Sequence, residues 1–335
     1  MENKKRILLI TTGGTIASLP TSKGLVPSLD SSGLTDFVPE IEGICSYDSL
    51  ELFRVDSTNI NTAHWIKLAK IIKKYYEDYD GFVITHGTDT LSYTAAALSY
   101  MVQNSPKPVV LTGAQKSITL RDTDARNNLI DAFTYAADDL ASGIRIVFNG
   151  LVIPGTRARK VKTHSYDAFA SIDYPAVASV MGGRVIHYIS DDIQDKEKKP
   201  VFSFDLNDKV MLIKLTPGFD GNVIELLGEI YRALIIEAFG AGGLPENGNP
   251  SPRLAVDRFT AKDGIVAMTT QVPSEGSSLS TYEVGRELCD NPNVLEGGNM
   301  TIEAMVCKLM WILGKTSDRN KIKELFYTPI DHDIL

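Results

Sequence analysis

The chain has 335 residues, of which 43% are hydrophobic and 23% charged, and its formal net charge at pH 7 is −8. This length allows two domains, and the composition is that of a globular protein with a sizeable core. An acidic chain without a basic, aromatic-rich stripe argues against nucleic-acid binding, and its apolar runs are too short for a membrane span.

The cysteines and the first residues of the sequence indicate the cellular compartment of the protein. Cys45, Cys289 and Cys307 form an odd set without the spacing of a metal site, and we interpret them as thiols of a reducing compartment. The charged segment Glu2–Arg6 is followed by an apolar run too short for the core of a signal peptide. We therefore expect a cytoplasmic protein.

Apolar runs rich in Val, Ile and Leu recur along the chain, with helical patterns between them. Continuous runs are typical of parallel strands that are covered on both faces. Their alternation with helices predicts a doubly wound α/β fold with a mostly parallel sheet. Thr301 and Gly314 are typical of the two ends of a helix near the C-terminus. Strands are predicted over 6–12, 81–86, 108–112, 144–149, 209–215, 233–239 and 265–271, and helices over 62–78, 91–103, 122–140 and 301–313.

A charged segment, SDDIQDKEKKP (190–200), interrupts this alternation, which resumes at Lys209. The segment has little that could be buried. We predict a larger N-terminal α/β domain over 1–190, a linker over 191–208 and a smaller α/β C-terminal domain over 209–335. A surface hairpin within a single domain is the alternative.

Two hydroxyl-rich turns, TTGGTIAS (11–18) and THGTDT (85–90), each follow a predicted strand. Ligands of open α/β sheets bind outside the carboxyl ends of the strands, and glycines let a ligand approach the main chain closely. The turns therefore predict a site that contains Thr15, Thr88 and Asp89. Two tight structural turns without a ligand are the alternative.

The same turns argue against several cofactors. They lack the third glycine of a dinucleotide fingerprint, and the chain has no phosphate-binding loop, so NAD and ATP are not expected. His86 has no partners for a metal site. We interpret it as a structural hydrogen-bonding group rather than a base, and we predict neither a metal nor a cofactor.

A threonine hydroxyl is a weak nucleophile at neutral pH and needs activation. Lys160, in the segment RARK (157–160), could reach the crevice, where the neighbouring arginines would favour its neutral form. A solvated basic loop is the alternative. Asp89 could bind a substrate ammonium group, act as a general base, or cap the helix predicted over 91–103.

Together these motifs resemble the two signatures of the bacterial-type L-asparaginases, the threonine amidohydrolases. The pair of threonine motifs is highly specific, and the cytoplasmic type I branch is the more similar one. The resemblance covers essentially the whole chain and includes DSTN (56–59), GFVITHGTDT (81–90), LTGAQ (111–115), GTRARK (155–160), YDAFAS (166–171) and TIEAMVCKLMW (301–311).

The resemblance implies hydrolysis of L-asparagine to L-aspartate and ammonia, with Thr15 attacking the side-chain amide through an acyl-enzyme. Thr88, Asp89 and Lys160 would form the second catalytic group, and main-chain N–H groups of the glycine turns would stabilise the oxyanion. Asp89 would hold the α-amino group of the substrate, Ser57 its α-carboxylate, and Ala114 would contact the amide. The implied substrate-binding residues are Ser57, Thr88, Asp89 and Ala114.

One position departs from the family pattern. Many members carry a tyrosine over the nucleophile in a Gly-Tyr-x-Pro context, whereas this chain has Leu25 in Gly24–Pro27. Leucine can exclude water but cannot transfer a proton. The base for Thr15 is therefore expected to be Lys160 or a tyrosine elsewhere.

Family members assemble as dimers of dimers in which a neighbouring subunit closes the site, so a homodimer or homotetramer is expected. Two other functions remain open. The chain could be the asparaginase-like subunit of a tRNA-dependent amidotransferase, which supplies ammonia to a partner. It could also be a two-lobed protein that binds an amino acid through Asp89 and Ser57 without turning it over.

Overall fold

The computed structural model describes residues 4–21, 24–27, 31–189 and 199–335; for 19–21, 24–27, 31–32 and 283–284 it describes the backbone only. The chain forms two compact units, Met1–Phe204 and Asp205–Leu335. Residues 191–198 of the predicted linker lie outside the described residues. Val201–Phe202, from its second half, forms a strand of the first unit that pairs with Val102–Gln103.

The first unit is built on an eight-stranded sheet in the order β13-β12-β9-β8-β7-β5-β1-β4. The strands from β4 to β8 in this order are parallel to their neighbours, whereas β9, β12 and β13 are joined antiparallel. The strands of this unit are β1 (Arg6–Gly13), β2 (Ser18–Thr21), β3 (Gly24–Pro27), β4 (Ser46–Val55), β5 (Gly81–Thr85), β6 (Val102–Gln103), β7 (Pro108–Thr112), β8 (Gly143–Phe148), β9 (Leu151–Pro154), β10 (Ala158–Lys160), β11 (Phe169–Ser171), β12 (Ala178–Met181), β13 (Arg184–His187) and β14 (Val201–Phe202).

Helices cover the central parallel strands, which explains their continuous apolar sequences. Helix α5 packs on β5, β7 and β8, and α4 contacts β7 and β8. Asn61 begins α3, because its side chain accepts a hydrogen bond from the Ala63 amide. The helices of this unit are α1 (Ser31–Thr35), α2 (Ile41–Ile44), α3 (Thr62–Tyr75), α4 (Leu91–Met101) and α5 (Ala125–Ala136), with short 3₁₀ helices at Thr15–Ala17 and Ser57–Asn59.

The second unit has a four-stranded parallel sheet in the order β15-β16-β17-β18. Its core combines strand residues with side chains of the helices that follow them. The elements are β15 (Val210–Lys214), α6 (Asn222–Gly228), β16 (Ala233–Ala238), α7 (Pro252–Ala261), β17 (Ile265–Thr270), a 3₁₀ helix (Leu279–Thr281), α8 (Glu283–Cys289), β18 (Val294–Glu296), α9 (Ile302–Lys315) and α10 (Arg319–Tyr327).

The end of the chain is fastened to α9 by a buried ion pair. Lys308 Nζ lies 2.6 Å from Asp333 Oδ2, and both side chains are fully buried. Lys308 also donates to the carbonyl of Thr328 at 2.9 Å. Burial lowers the pKa of Lys308, and the Asp333 carboxylate opposes this shift.

The predicted α/β architecture, with a parallel-rich sheet and a separate smaller unit, is confirmed, while several helix boundaries were wrong, since the helices predicted over 62–78 and 91–103 end at Tyr75 and Met101. The helix predicted over 122–140 is Ala125–Ala136. Thr301 caps α9 as predicted, but Gly314 lies inside this helix rather than after it. A Cβ at Gly314 would lie 2.4 Å from the carbonyl oxygen of Asp205, so close backbone packing requires glycine here.

Candidate active site

Three turns meet at the carboxyl ends of β1, β5 and β7. Thr11 pairs with Thr85, and Thr85 pairs with Thr112, so the segments after these strands leave the sheet side by side. Strand β1 is buried from Ile7 to Gly13, which means that the first polar turn after it is presented at the sheet edge. This edge is where an open α/β sheet binds its ligand.

Two glycines let these turns approach more closely than side chains would allow. Gly14 has φ +82°, and a Cβ on it would lie 2.4 Å from the amide nitrogen of Gly87. A Cβ on Gly87 would lie 2.6 Å from Ser57 Oγ. The structure therefore places the turn that carries Thr15 against the turn that carries Thr88, with Ser57 beside both.

Thr15 opens a 3₁₀ helix and is half-buried. The residues after it are attached to the segment that follows β7. The Ile118 amide donates to the carbonyl of Ile16 at 3.1 Å, and Ser117 Oγ donates to the carbonyl of Ser18 at 2.5 Å. These bonds hold Thr15 in place through its neighbours.

Lys160 is brought to Thr88 and Asp89 from a distant part of the sequence. Its Nζ donates to Thr88 Oγ1 at 2.8 Å and to Asp89 Oδ1 at 2.7 Å. The Lys160 side chain is 19% exposed and that of Asp89 is 56% exposed. The interpretation of RARK as a solvated loop is wrong, because Ala158–Lys160 forms β10 and pairs with β11.

Asp89 does not cap α4. Thr90 is the N-cap residue of this helix, and its side chain makes no capping bond. Its hydroxyl donates instead to the carbonyl of Ser57 at 2.7 Å, which links the two turns. Ser57 itself is buried in its 3₁₀ helix, which begins with a bond from the Thr58 amide to the Asp56 carboxylate.

Ala114 follows β7 and is fully buried within the hydrophobic core of the first unit. The whole residue is buried, backbone included, so Ala114 presents no surface to the crevice in this structure. Leu25 lies in β3, whose backbone forms a hairpin with β2. Apart from Ser18, the side chains of this hairpin are outside the described part of the structure.

Gln115 and Asp124 join this site, and neither was given a role from the sequence. Thr88 Oγ1 lies 3.3 Å from Gln115 Oε1, and Gln115 Nε2 donates to the carbonyl of Ser165 at 3.1 Å. The Asp124 carboxylate accepts the amides of Gln115 and Lys116 at 2.9 and 3.0 Å. Asp124 thus shapes the turn from which Gln115 reaches Thr88.

His86 is fully buried, and burial lowers its pKa to about 4. Its Nδ1 lies 2.7 Å from the carbonyl of Gly87, and its Nε2 lies 2.9 Å from Thr94 Oγ1. A neutral, buried imidazole with both nitrogens bonded is not free to act as a base for substrate. This agrees with the structural role predicted for it.

Within the residues that the structure describes, no group of three or more His, Cys, Asp and Glu side chains could hold a metal ion. Over the same residues, no helix combines the length and apolar character needed to cross a membrane.

A polar cavity of about 300 Å³ adjoins Asp124, and Asp131 contributes a carboxylate to it. Burial raises the pKa of Asp131 to about 6, and no hydrogen bond or ion pair of this group is found among the described residues. The cavity is lined by Thr123, Asp124, Asn127, Asn128, Asp131, Asn149, Gly150 and Tyr166.

Replacing Asp131 by asparagine is expected to stabilise the protein at neutral pH. The carboxyl ionises near 3.8 when unfolded but near 6 when folded, so its contribution to stability falls as pH rises between these values. After allowance for partial exposure, Asp131→Asn should gain about 1–2 kcal/mol at pH 7.5 and nothing near pH 4. The free energy of unfolding, measured in urea at both pH values, tests this prediction.

Asp138→Asn is the matched control, because Asp138 is partnered by His187 Nε2 at 2.8 Å. This control should not be stabilised at pH 7.5. Equal stability of Asp131→Asn and wild type at pH 7.5 would contradict the prediction.

Two family models match the chain. The model described as "Asparaginase, N-terminal" matches residues 6–193, and "Glutaminase/Asparaginase C-terminal domain" matches 209–326. Among relatives, the chain is 37% identical over 334 residues to an L-asparaginase of Thermococcus kodakarensis, which covers 98% of this chain and 99% of the relative. It is 36% identical over 343 residues to a subunit of the glutamyl-tRNA(Gln) amidotransferase of Pyrococcus furiosus, covering 98% of this chain and 77% of that one.

Solved structures give the same picture. The thermostable L-asparaginase from Thermococcus kodakarensis superimposes with a TM-score of 0.90 at 35% identity, covering 98% of this chain and 99% of that one. A probable cytoplasmic L-asparaginase from Campylobacter jejuni has a TM-score of 0.83 at 25% identity, covering 97% and 100%. With both halves of the chain matched and its turns assembled at one sheet edge, the chain belongs to the asparaginase family.

Proposed function

We propose that this chain is an amidohydrolase that converts L-asparagine to L-aspartate and ammonia. The observation that supports this most directly is the contact of Lys160 Nζ with both Thr88 Oγ1 and Asp89 Oδ1. This group lies at the sheet edge where the turn of Thr15 packs against that of Thr88. A nucleophilic hydroxyl with an amine and a carboxylate close by is a set of groups suited to cleaving an amide.

In the proposed reaction, Thr15 Oγ1 attacks the side-chain amide carbon of the substrate and gives up its proton. The tetrahedral adduct collapses when the leaving nitrogen is protonated, which releases ammonia and leaves an aspartyl ester on Thr15. Water then attacks the ester, so that L-aspartate leaves and the Thr15 hydroxyl is restored. Lys160, acting with Thr88, is proposed to move these protons.

The substrate would be held by its α-ammonium and α-carboxylate groups. The carboxylate of Asp89 is 56% exposed at the crevice and bears the charge that an ammonium group needs. Ser57 Oγ lies next to Gly87 and would donate to the α-carboxylate. Backbone N–H groups in the glycine turns would surround the reacting amide.

Ser57→Ala is expected to raise KM for L-asparagine by roughly 10- to 100-fold with a smaller effect on kcat, since a hydrogen bond to a charged group is worth about 1.5–3 kcal/mol. Steady-state kinetics measures the two constants separately. Thr58→Ala is the control, because its hydroxyl bonds to Asp56 at 2.9 Å instead. An unchanged KM in Ser57→Ala would remove Ser57 from substrate binding.

The central test is ammonia release from L-asparagine by the purified chain alone. The proposed function predicts catalytic turnover without any partner protein. The relatives named as glutamyl-tRNA(Gln) amidotransferase subunits raise the alternative that ammonia passes to a partner. In that case the isolated chain would release almost no ammonia. Tight amino-acid binding without ammonia release would instead indicate a binding protein.

We also infer a homodimer or homotetramer that acts in the cytoplasm. Thr15 is only half-buried and Asp89 is open to solvent, so a second copy of the chain could close the crevice. Among the described residues the three cysteines form no disulfide, and the Campylobacter neighbour carries the word cytoplasmic in its name. Light scattering on the purified protein measures the oligomeric state.

A further inference from the structure

A chain of hydrogen bonds runs beneath the site, from Trp65 to the Gly87 carbonyl. Trp65 Nε1 lies 3.0 Å from Thr94 Oγ1, Thr94 Oγ1 lies 2.9 Å from His86 Nε2, and His86 Nδ1 lies 2.7 Å from the Gly87 oxygen. Trp65, Thr94 and His86 are all buried. The chain connects α3 and α4 to the turn that follows β5.

The direction of these bonds is determined by the chemistry of the two end groups. An indole N–H can only donate and a carbonyl oxygen can only accept. The proton of a neutral His86 must therefore be on Nδ1, facing Gly87, while Nε2 accepts the hydroxyl proton of Thr94. Thr94 in turn accepts from Trp65. Every donor in this chain of hydrogen bonds thus faces an acceptor.

The last bond in this chain orients the peptide between Gly87 and Thr88. Glycine has little conformational preference of its own, yet Ser57 Oγ packs so closely that glycine is required at position 87. In a planar trans peptide, the N–H points opposite to the carbonyl. With the Gly87 carbonyl directed at His86, the Thr88 N–H points away from the ring.

The Thr88 N–H and the Thr88 hydroxyl differ in their bonding. No hydrogen bond to the Thr88 amide is found among the residues that the structure describes, whereas its hydroxyl receives the Lys160 bond. The backbone of His86 is itself fixed, because its N–H donates to the Thr112 carbonyl at 2.9 Å. His86 is therefore attached to the sheet through its backbone and to the 87–88 peptide through its imidazole ring.

Building on the amidohydrolase function proposed above, we propose that His86 is a positioning residue whose Nδ1–H holds the Gly87 carbonyl, so that the N–H and hydroxyl of Thr88 face the scissile amide. Trp65 and Thr94 select the imidazole tautomer that does this. The ring does not touch the substrate. It acts on kcat through the peptide that it orients.

Two substitutions of His86 distinguish the hydrogen bond of Nδ1 from that of Nε2. Asparagine places an amide near the position of Nδ1 and can donate to Gly87, whereas glutamine reaches the position of Nε2 and can bond only to Thr94. His86→Gln should lower kcat by roughly 100-fold, the cost of a misplacement of about 1 Å, with little change in KM. His86→Asn should recover most of this loss. A merely structural histidine would show losses that follow thermal stability in both variants.

Thr94→Val tests the anchoring of the imidazole ring without changing the histidine. Losing the hydroxyl leaves Nε2 without its donor and Trp65 without its acceptor, so the ring is held less firmly, and kcat should fall by roughly 10-fold or more at unchanged KM. Thr134→Val is the control, because this helical hydroxyl bonds to the Ile130 carbonyl at 2.8 Å, away from the histidine. Wild-type kcat in Thr94→Val would overturn the proposal.

Nitrogen-15 NMR of labelled histidine reads the tautomer directly and requires no activity, and the chain has only five histidines. The resonance that is lost in His86→Asn identifies His86, and in wild type it should show the Nδ1–H form. An Nε2–H form in wild type, or His86→Gln with wild-type kcat, would overturn the proposal. A wild type that releases no ammonia would refute the proposed function instead, and the tautomer measurement keeps the two failures distinct.

Discussion

Thr15→Ala is expected to lower kcat for L-asparagine by roughly 10³- to 10⁶-fold, because the attacking hydroxyl is removed. The protein should remain folded, since Thr15 is half-buried and the turn is held by the Ile16 and Ser18 carbonyls instead. L-Aspartate should still bind to the variant, because Asp89 and Ser57 are intact. Ammonia release and aspartate titration on the same preparation measure both effects.

Thr15→Ser is the matched variant, because it keeps a hydroxyl at the same position and should retain part of the activity. Acid quenching of the wild type during turnover, followed by peptide mass spectrometry, should find an aspartyl ester on Thr15. Full activity in Thr15→Ala would show that Thr15 is not the nucleophile. Loss of activity without any trapped ester would favour direct attack by water.

Burial explains which strands could be predicted from the sequence. The central strands β1, β5, β7 and β8 are covered on both faces, so their sequences are nearly continuous runs of apolar residues. Strand β4 was missed because it is an edge strand, and its sequence, SYDSLELFRV, is mostly half-buried or exposed. The antiparallel strands β9, β12 and β13 are short and have no strong pattern of their own.

The site was predictable only where strand topology determines it. The turns of Thr15 and Thr88 were expected to meet because parallel strands end at one edge. Lys160 is 72 residues from Thr88 along the chain, and its approach depends on the packing of β10 against β11 rather than on any local pattern. The contact of Gln115 with Thr88 and the hydrogen-bond partners of His86 depend on side-chain directions, which neither spacing nor periodicity contains.

The leucine at position 25, where many family members have a tyrosine, makes Lys160 the group whose chemistry most needs a test. Lys160 contacts Thr88 directly, and its amine also forms an ion pair with Asp89, so one side chain serves two functions. It could transfer protons, or it could act only through its charge. An arginine at position 160 keeps the positive charge but does not give up its proton, so it separates these two roles.

Lys160→Met is expected to lower kcat by roughly 10²- to 10⁴-fold, the range of general acid–base catalysis. Lys160→Arg should be almost as inactive if proton transfer is the role, because a guanidinium keeps its charge and cannot give up a proton near neutral pH. Lys162→Met is the control, since Lys162 is an exposed lysine paired with Asp167. An active Lys160→Arg would assign Lys160 to electrostatic stabilisation alone.

A double-mutant cycle tests whether Thr88 and Lys160 act as one unit. Groups that act together are not additive, so Thr88→Val combined with Lys160→Met should lower kcat about as much as the more damaging single change. Their direct contact of 2.8 Å is the physical basis of this coupling. Multiplicative losses in the double variant would mean that the two residues contribute independently, and the proton path would then have to bypass Thr88.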